Sequence, residues 1–255
     1  MRGGAQGHLM RCDDGNYYVV KFQNNPQHVR ILANEMLASK LARRLGLPAA
    51  PVEPVEVRQE LIDASAELVI QLGLGRVKCR AGLQLGSRYP GHPAWTAVYD
   101  YLPDEQLSQV GNISDFAGML VFDKWACNTN GRQAVFFAAP GDSHYNAWMV
   151  DQGFCFNAGE WNFPDAPLRG LYARTQVYEG VLGMESFAPW LARLERQINA
   201  STLEEIAGQI PPDWYEADWG RLEELLEQLL RRRAHVPGWI LAARDTYRQP
   251  FPNWK

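Results

Sequence analysis

The fold is decided by the stretch DDGNYYVVKF, residues 13–22, in which a turn leads directly into a strand. Asp13-Asp14-Gly15-Asn16 is typical of a turn, and the aromatic and β-branched residues after it favour a strand whose hairpin partner lies near residues 8–11. Lys21 lies inside this apolar strand, and burying an ammonium group is costly unless an anion pairs with it. The stretch therefore predicts a β-hairpin that carries either a buried, paired lysine or an edge-strand lysine in solvent.

A helix that carries one isolated carboxylate follows this strand. Apolar residues recur at three- and four-residue spacings over residues 27–45, and Gly46 and Pro48 end the pattern. Glu35 lies on a second face of the helix, among small and apolar neighbours, where a solvated glutamate would usually have charged ones. A strand lysine and a helix glutamate form the ion pair that orients the lysine towards nucleotide phosphates in kinases, so we expect Lys21 and Glu35 to pair.

Length and composition exclude several classes of protein. The chain has 255 residues, of which 46% are hydrophobic, and a net charge of −4 weighs against a nucleic-acid-binding coat. No apolar run approaches the roughly 20 residues that span a bilayer, and residues 1–7 contain no apolar signal core. The four cysteines lie far apart without zinc spacing, which indicates reduced thiols in a cytoplasmic protein.

The remaining pattern is β-rich at first and helical later. We expect short strands over 52–57, 68–71, 83–89, 96–101, 134–137 and 147–150. Helices are expected after Ser114, after Ser186 and from a capping box at Ser201 and Glu204, and an amphipathic helix ends in the basic triplet 231–233. The triplet is interpreted as the solvated end of that helix, with phosphate contact as the alternative. A break at residues 102–104 divides the pattern into two lobes, and a ligand commonly binds between lobes.

Two further features indicate phosphate chemistry. The cluster Gly3-Gly4-Ala5-Gln6-Gly7 precedes the predicted hairpin, and glycines let backbone N–H groups approach phosphate oxygens, although they also serve ordinary turns. Asp151 follows the apolar strand 147–150, where a carboxylate that emerges into a cleft is well placed to hold Mg²⁺. A plain turn aspartate is the alternative for Asp151.

The order of these motifs resembles that of the HipA-like kinases, distant relatives of protein kinases and phosphatidylinositol 4-kinases, and in particular a small bacterial branch. The resemblance covers roughly residues 1–170, and it includes Phe122-Asp123-Lys124-Trp125, Asn128-Thr129-Asn130-Gly131-Arg132 and Val150-Asp151-Gln152-Gly153. It implies an α+β, two-lobed protein-kinase-like fold, with a β-rich N-lobe at 1–103 and a mainly helical C-lobe at 104–255. It also implies an ATP-dependent kinase that uses Mg²⁺ and has a protein serine or threonine as its acceptor.

The resemblance also implies which residues bind the nucleotide. Lys21 would contact the α- and β-phosphates, Glu35 would hold Lys21, and Asp151 would bind Mg²⁺. The phosphate loop and the hinge beside adenine would be formed by Gly3, Gly4 and Gly7 and by Val98, Tyr99, Asp100 and Tyr101, respectively.

The catalytic loop departs from the pattern of the family. Relatives have Thr-Asp-Gly-His followed by a metal-binding asparagine, whereas this chain has Thr129-Asn130-Gly131-Arg132 and a valine, Val135, where that asparagine belongs. Asn130 cannot accept a proton from a hydroxyl group. Positioning and metal electrostatics dominate phosphoryl transfer, so activity without that base is still possible.

Three other residues are candidates for the missing roles. Asp123 lies about two helical turns before the loop and would act as the base or else brace the loop. Arg132 would stabilise the transferred phosphate or else pair with Asp123. Asn146 would supply the missing metal ligand or else serve a turn.

Two alternatives to a kinase remain at this point. A pseudokinase would bind nucleotide, or only a partner protein, without transferring phosphate. A carboxylate-pair hydrolase would use Glu160 and Asp165 beside Trp161, but it leaves Lys21 and Glu35 without a function.

Overall fold

The structure is a computed structural model that describes residues 4–255. In this part of the chain the strands are β1 (His8–Arg11), β2 (Tyr17–Lys21), β3 (Val52–Val57), β4 (Val69–Leu72), β5 (Gly75–Lys78), β6 (Gly82–Arg88), β7 (Ala97–Tyr99), β8 (Gln133–Ala138) and β9 (Asn146–Val150). The helices are α1 (Ile31–Arg44), α2 (Gln59–Ala64), α3 (Asp104–Leu107), α4 (Asp115–Trp125), α5 (Ala188–Gln197), α6 (Ala200–Ala207), α7 (Trp219–Arg232) and α8 (Val236–Arg244).

The first sheet contains the predicted hairpin and is antiparallel, with the strand order β1-β2-β6-β3. Successive side chains of a strand point to opposite faces. One face of β2 therefore buries Tyr18 and Val20 in a small apolar cluster with Val57 and Ile70. The other face turns Val19 and Lys21 towards the second sheet, and this alternation decides where the lysine lies.

The second sheet has the order β7-β8-β9 and is also antiparallel. Strand β7 precedes the expected division at residue 103, yet it pairs with β8 and so belongs to the second sheet. The strand β5 and the short helices α2 and α3 were not predicted from the sequence, because each is only four to six residues long.

Helix α1 begins at Ile31, four residues later than the periodicity predicts. Before it, local side chains bind the backbone: the side chain of Asn25 accepts from the backbone N–H of Gln27 at 3.0 Å, and that of His28 from Arg30 at 3.1 Å. Such bonds compete with the helical ladder, so the segment turns instead. Within α1, most side chains are buried because the helix packs against β3 and β6 of the first sheet, against α6, and against the segment at residues 155–157.

Helix α4 is the central helix of the large core. Nearly every residue from Phe116 to Trp125 is buried, and the indole Nε1 of Trp125 donates to the carbonyl of Leu229 on α7 at 2.8 Å. A helix that is buried on all sides lies in a core, and in α4 the buried residues include two charged ones, Asp123 and Lys124. Among residues 4–255, no helix is both long and apolar enough to cross a bilayer.

The predicted helix caps were only partly right. Helix α4 follows Ser114, but the hydroxyl group of Ser114 makes no capping hydrogen bond. Helix α5 begins at Ala188, and Ser186 lies in a short 3₁₀ turn before it. Helix α6 is capped by Asn199, whose side chain accepts from the backbone N–H of Thr202 at 2.9 Å, so the capping box expected at Ser201 is wrong by two residues.

The sequence predicts that the basic triplet is the solvated end of α7, but the structure shows that this end is not fully solvated. Arg232 is buried, and its guanidinium group binds both carboxylate oxygens of Asp165, at 2.8 and 2.7 Å. It also lies over the rings of Phe163 and Trp239, 4.1 and 4.2 Å from their centroids. Arginine suits such a site because its planar group can pair and stack together.

Candidate functional site

A cavity of about 400 Å³ lies between the two sheets. The turn at residues 5–7, strand β2 and the end of β6 line it from one side, and Val98, Asp100 and strands β8 and β9 line it from the other. The cavity therefore draws its walls from parts of the chain that are far apart in sequence.

Lys21 lies at the base of this cavity and joins three elements. Its Nζ donates to Oε2 of Glu35 on α1 at 2.6 Å and to Oδ1 of Asp151, after β9, at 2.9 Å. Lys21 is 9% exposed and Glu35 2%. The expected Lys21–Glu35 pair is confirmed, the solvent-exposed lysine is excluded, and Asp151 is the second anion of the cluster.

The three charges shift one another's ionisation. Burial alone would lower the pKa of Lys21, but the two neighbouring carboxylates outweigh it and raise that pKa. Burial raises the pKa of Glu35 against the opposing effect of Lys21. Burial also acts to raise the pKa of Asp151, but the charge and hydrogen bond of Lys21 and a hydrogen bond from Gln133 lower it overall. With all three groups ionised, the cluster holds one more negative charge than positive.

The backbone after β9 explains why an aspartate and a glycine occur two residues apart. Asp151 has φ 60°, in the left-handed region that aspartate tolerates better than most residues. At Gly153, a Cβ atom would come within 2.8 Å of Cγ2 of Ile31. The glycine is required because α1 packs directly against this backbone, and that packing brings Glu35 to Lys21.

Helix α1 is fastened to the segment after Asp151 by Asn34. The side-chain amide of Asn34 donates to the carbonyls of Gly153, Cys155 and Ala158, and its oxygen accepts from the indole Nε1 of Trp161. Asn34 is fully buried and directly precedes Glu35. The position of the glutamate in the cluster is therefore set by bonds one residue away.

The glycine-rich turn lies beside the cavity, although Gly3 falls outside the described residues. Gly7 lines the cavity, and a Cβ atom there would lie 2.8 Å from Cγ1 of Val19. Gly4 is exposed and does not line the cavity. Between them, the Gln6 side chain donates to the carbonyl of Gln71 and accepts from its N–H, both at 2.8 Å, which ties the turn to β4.

The residues expected to form the hinge, 98–101, lie on the opposite wall of the cavity. Their side chains alternate between the cavity and its outer side. Val98 and Asp100 line the cavity, whereas the side chains of Tyr99 and Tyr101 are exposed. This is the alternation of a strand, and β7 contributes residues 97–99. The guanidinium group of Arg174 lies 4.7 Å from the ring of Tyr101, outside the cavity lining.

Asp123 and Arg132 form a buried ion pair, and Arg132 also lines the cavity. The Nε of Arg132 donates to Oδ2 of Asp123 at 2.8 Å, and its Nη2 donates to Oδ1. Asn128 also donates to Oδ1, at 3.0 Å, and Asp123 is 1% exposed. Both carboxylate oxygens of Asp123 are thus engaged. This geometry favours a bracing role for Asp123 over a role as a base. For Arg132 it favours pairing with Asp123.

Asn130 and Asn146 are not brought to the charge cluster. Asn130 is exposed in the loop after α4, where its Oδ1 accepts from the N–H of Gly131 at 2.9 Å, and it does not line the cavity. Asn146 begins β9, opposite Phe137, whereas Asp151 follows the other end of that strand. At roughly 3.3 Å per residue, the two lie about 16 Å apart, so the structure does not support Asn146 as the partner of Asp151 at a metal site.

Gln133 is a residue of the site that was missed from the sequence. It begins β8 opposite Val150, lines the cavity, and donates from Nε2 to Oδ2 of Asp151 at 2.9 Å. The sequence analysis placed the start of this strand one residue later. The sequence feature that could have identified Gln133 is its position directly after the loop that ends at Arg132.

The carboxylates proposed for a hydrolase are not arranged as a pair. Both oxygens of Asp165 are held by Arg232, and Glu160 is exposed. The structure therefore does not favour that alternative.

Comparisons with known proteins agree with this geometry. The sequence profile of the HipA-like kinases matches residues 1–135. A search of curated proteins finds no match. Among solved structures, the Golgi casein kinase matches with a TM-score of 0.56 and 12% identity, covering 97% of this chain and 72% of that one.

Two further structures show the same fold. The Helicobacter pylori proinflammatory kinase CtkA matches with a TM-score of 0.55 and 15% identity, covering 92% of this chain and 93% of that one. Hydra Fam20, with sugar, matches with a TM-score of 0.53 and 12% identity, covering 92% of this chain and 80% of that one. At these identities the structures establish a kinase-like α+β fold, as the sequence analysis predicted.

Proposed function

This chain belongs to the HipA-like kinase family, and we propose that it is a phosphotransferase that transfers the γ-phosphate of ATP to a serine or threonine hydroxyl group of another protein. The observation that carries the proposal is the position of Lys21, which binds both Glu35 and Asp151 at the base of the cavity. A lysine held in this way is what kinases use to orient nucleotide phosphates.

The cavity fits a nucleotide in size and in the groups along its walls. Its volume of about 400 Å³ lies within the roughly 300–1,000 Å³ of small-molecule sites. In the proposed two-lobed arrangement, with residues 1–103 and 104–255 as the lobes, Lys21 would bind the α- and β-phosphates. The turn that contains Gly7 would cover them, and the segment from Val98 to Tyr101 would lie beside adenine.

The residues present also fit a divalent metal ion. Asp151 offers a hard carboxylate oxygen, and the cluster around Lys21 has an excess of negative charge that a cation would balance. Within residues 4–255 there is no group of three or more histidine, cysteine or acidic side chains that could hold a metal alone. Mg²⁺ usually binds proteins through one or two carboxylates together with substrate phosphates. A bound ion of this kind neutralises charge that develops on the phosphates.

Transfer would break the bond between the γ-phosphorus and the bridging oxygen and form a bond to the acceptor oxygen. In a loose transition state, the acceptor hydroxyl group loses its proton late, so positioning contributes more than proton removal. Asn130 lies in the loop where a base belongs, and its side chain can orient a hydroxyl group by hydrogen bonding without accepting the proton. We propose that this chain transfers phosphate without a side-chain base, the proton leaving to water or phosphate.

One observation favours a second candidate function, a nucleotide-binding protein without transfer activity. Among the described residues, the carboxylates that line the cavity are Glu35, Asp100 and Asp151. Two of these are bound to Lys21, and Asp123 is buried against Arg132. Among these four carboxylates, none is left beside the catalytic loop to accept a proton from an acceptor hydroxyl group.

Incubation with γ-labelled ATP and Mg²⁺ or Mn²⁺, together with calorimetry of nucleotide binding, tests both functions. The protein and a Ser/Thr-rich peptide library serve as acceptors, and the variants are Asp151→Ala and Asp142→Ala. Asp142 is a matched control, since it is an exposed aspartate in the loop between β8 and β9. Label that is lost only in Asp151→Ala supports the kinase. Metal-dependent nucleotide binding without label supports the second function, and absence of nucleotide binding by the unaltered protein refutes both.

A further inference from the structure

We infer that Gln133 supplies a side-chain oxygen to the metal ion, in place of the asparagine that relatives have where this chain has Val135. The inference rests on the proposed function, because the metal ion enters with the nucleotide. It assigns a role in metal binding to a residue outside the family's motif.

The register of the second sheet places Gln133 beside Asp151. Strand β8 runs antiparallel to β9, with Gln133 opposite Val150 and Val135 opposite Trp148. Gln133 and Val135 are two residues apart, so their side chains share one face of the strand, and both line the cavity. Gln133 is the one of the two that lies next to the end of β9, where Asp151 follows.

The two oxygens of Asp151 are divided between two partners. Oδ1 accepts from Lys21 at 2.9 Å, and Oδ2 accepts from Nε2 of Gln133 at 2.9 Å. The side chain that meets Oδ2 is therefore already within reach of the position where a cation bound to that oxygen would lie. Gln133 is exposed, so binding a metal ion would not require a buried group to move.

The chemistry of the amide suits the exchange. Without a cation, a carboxylate draws the NH₂ end of the amide, as observed. With a cation on Oδ2, the carbonyl end becomes the favourable one, because side-chain amide oxygens are ligands of Mg²⁺ and Ca²⁺. Within the described part of the chain, Oε1 of Gln133 accepts no hydrogen bond, so turning the amide breaks only the bond from Nε2 to Asp151. Val135 has no polar atom that could take this role.

Two substitutions separate a metal ligand from a residue that only positions Asp151. Gln133→Leu removes the oxygen at nearly constant size, and Gln133→Glu keeps an oxygen while it removes the donor. A ligand role predicts that the leucine variant binds metal at least tenfold more weakly and that the glutamate variant binds it as tightly as the unaltered protein or more tightly. A role limited to donating to Asp151 predicts that the glutamate variant is at least as impaired as the leucine variant, because two carboxylates repel.

The measurement is a titration of the ADP-loaded protein with Mn²⁺, followed by the electron paramagnetic resonance signal of free Mn²⁺. Gln59→Leu is the control, because Gln59 donates to Oδ1 of Asp63 at the same distance of 2.9 Å, on the exposed helix α2. It should leave the Mn²⁺ affinity unchanged. Affinity in Gln133→Leu within twofold of the unaltered protein, or a glutamate variant as weak as the leucine variant, overturns the inference while the proposed function stands. Failure of the unaltered protein to bind ADP, measured by calorimetry before the titration, refutes the proposed function instead.

Discussion

Asn34 accepts a 2.7 Å hydrogen bond from the indole Nε1 of Trp161, across 127 positions of the chain. The same side chain donates to three carbonyls of the segment between Asp151 and Trp161. Arg30 precedes Asn34 by four residues, and its guanidinium carbon lies over the Trp161 ring, 4.6 Å from the ring centroid. The helix that carries Glu35 is thereby held against the segment that follows Asp151.

Replacing Asn34 should therefore cost stability. Asn34→Leu would leave the indole N–H and several carbonyls buried without partners, at about 1–3 kcal/mol for each such group, partly relieved by relaxation. We expect the free energy of unfolding in urea to fall by about 2–4 kcal/mol. Trp161→Phe, which removes one of these bonds, should cost less. A leucine variant within 0.5 kcal/mol of the unaltered protein, roughly the change at ordinary surface sites, would show that the contacts contribute little.

Replacing Lys21 should abolish nucleotide binding and also destabilise the fold. In Lys21→Met the buried carboxylate of Glu35 and the partly exposed carboxylate of Asp151 lose their cation, and breaking a buried pair typically costs about 3–5 kcal/mol. Adding Glu35→Gln removes one of the two unpaired charges, so the double variant should regain part of that stability without regaining binding. Urea unfolding and calorimetry with ATP measure the two effects. Nucleotide binding by the double variant at the original affinity would contradict the role given to Lys21.

The lowered pKa of Asp151 predicts how stability depends on pH. A carboxyl group whose pKa is lower in the folded than in the unfolded state, ordinarily 3.8, contributes stability above 3.8. That contribution is lost as the pH falls through the folded value. The unfolding free energy of the unaltered protein should therefore exceed that of Asp151→Asn at pH 6, and the difference should shrink as the pH falls below 3.8. A difference that stays constant from pH 6 to pH 3 would contradict the assignment.

Asp123→Asn should behave as a structural substitution. It replaces a buried carboxylate that binds Arg132, and we expect a loss of about 3 kcal/mol in urea unfolding. Gly170→Ala is an independent check, because Gly170 has φ +75° and a Cβ atom there would lie 2.5 Å from Cβ of Asp123. It should lower stability as well. If Asp123→Asn kept full stability and nucleotide affinity but lost phosphate transfer, Asp123 would be the base after all.

Much of the charge cluster could be predicted from local patterns. The strand around Lys21, the helix around Glu35 and the strand before Asp151 each show their own periodicity, and a charged residue inside an apolar pattern needs a partner. The family resemblance rests on the order of these motifs, and the profile match confirms it. The solved structures share the fold.

The errors arose where a single residue position or a distant contact decides. Gln133 was missed because strand register, which the sequence leaves open to within a residue, determines that it lies opposite Val150 and so next to Asp151. The cap of α6 was misplaced because both Asn199 and Ser201 are good cap residues. Arg232 was expected in solvent because nothing nearby in sequence shows that Asp165 will meet it.

The pair of hydrogen bonds between Gln6 and Gln71 has a consequence for the rate at which a ligand enters and leaves. The turn above the cavity is joined to the β4–β5 hairpin, which reaches solvent at the fully exposed Leu74. We expect the two segments to move together, and we therefore expect the residence time of a bound molecule to depend on the opening of this hairpin. Shortening the hairpin should then speed dissociation more than it changes the stability of the rest of the protein.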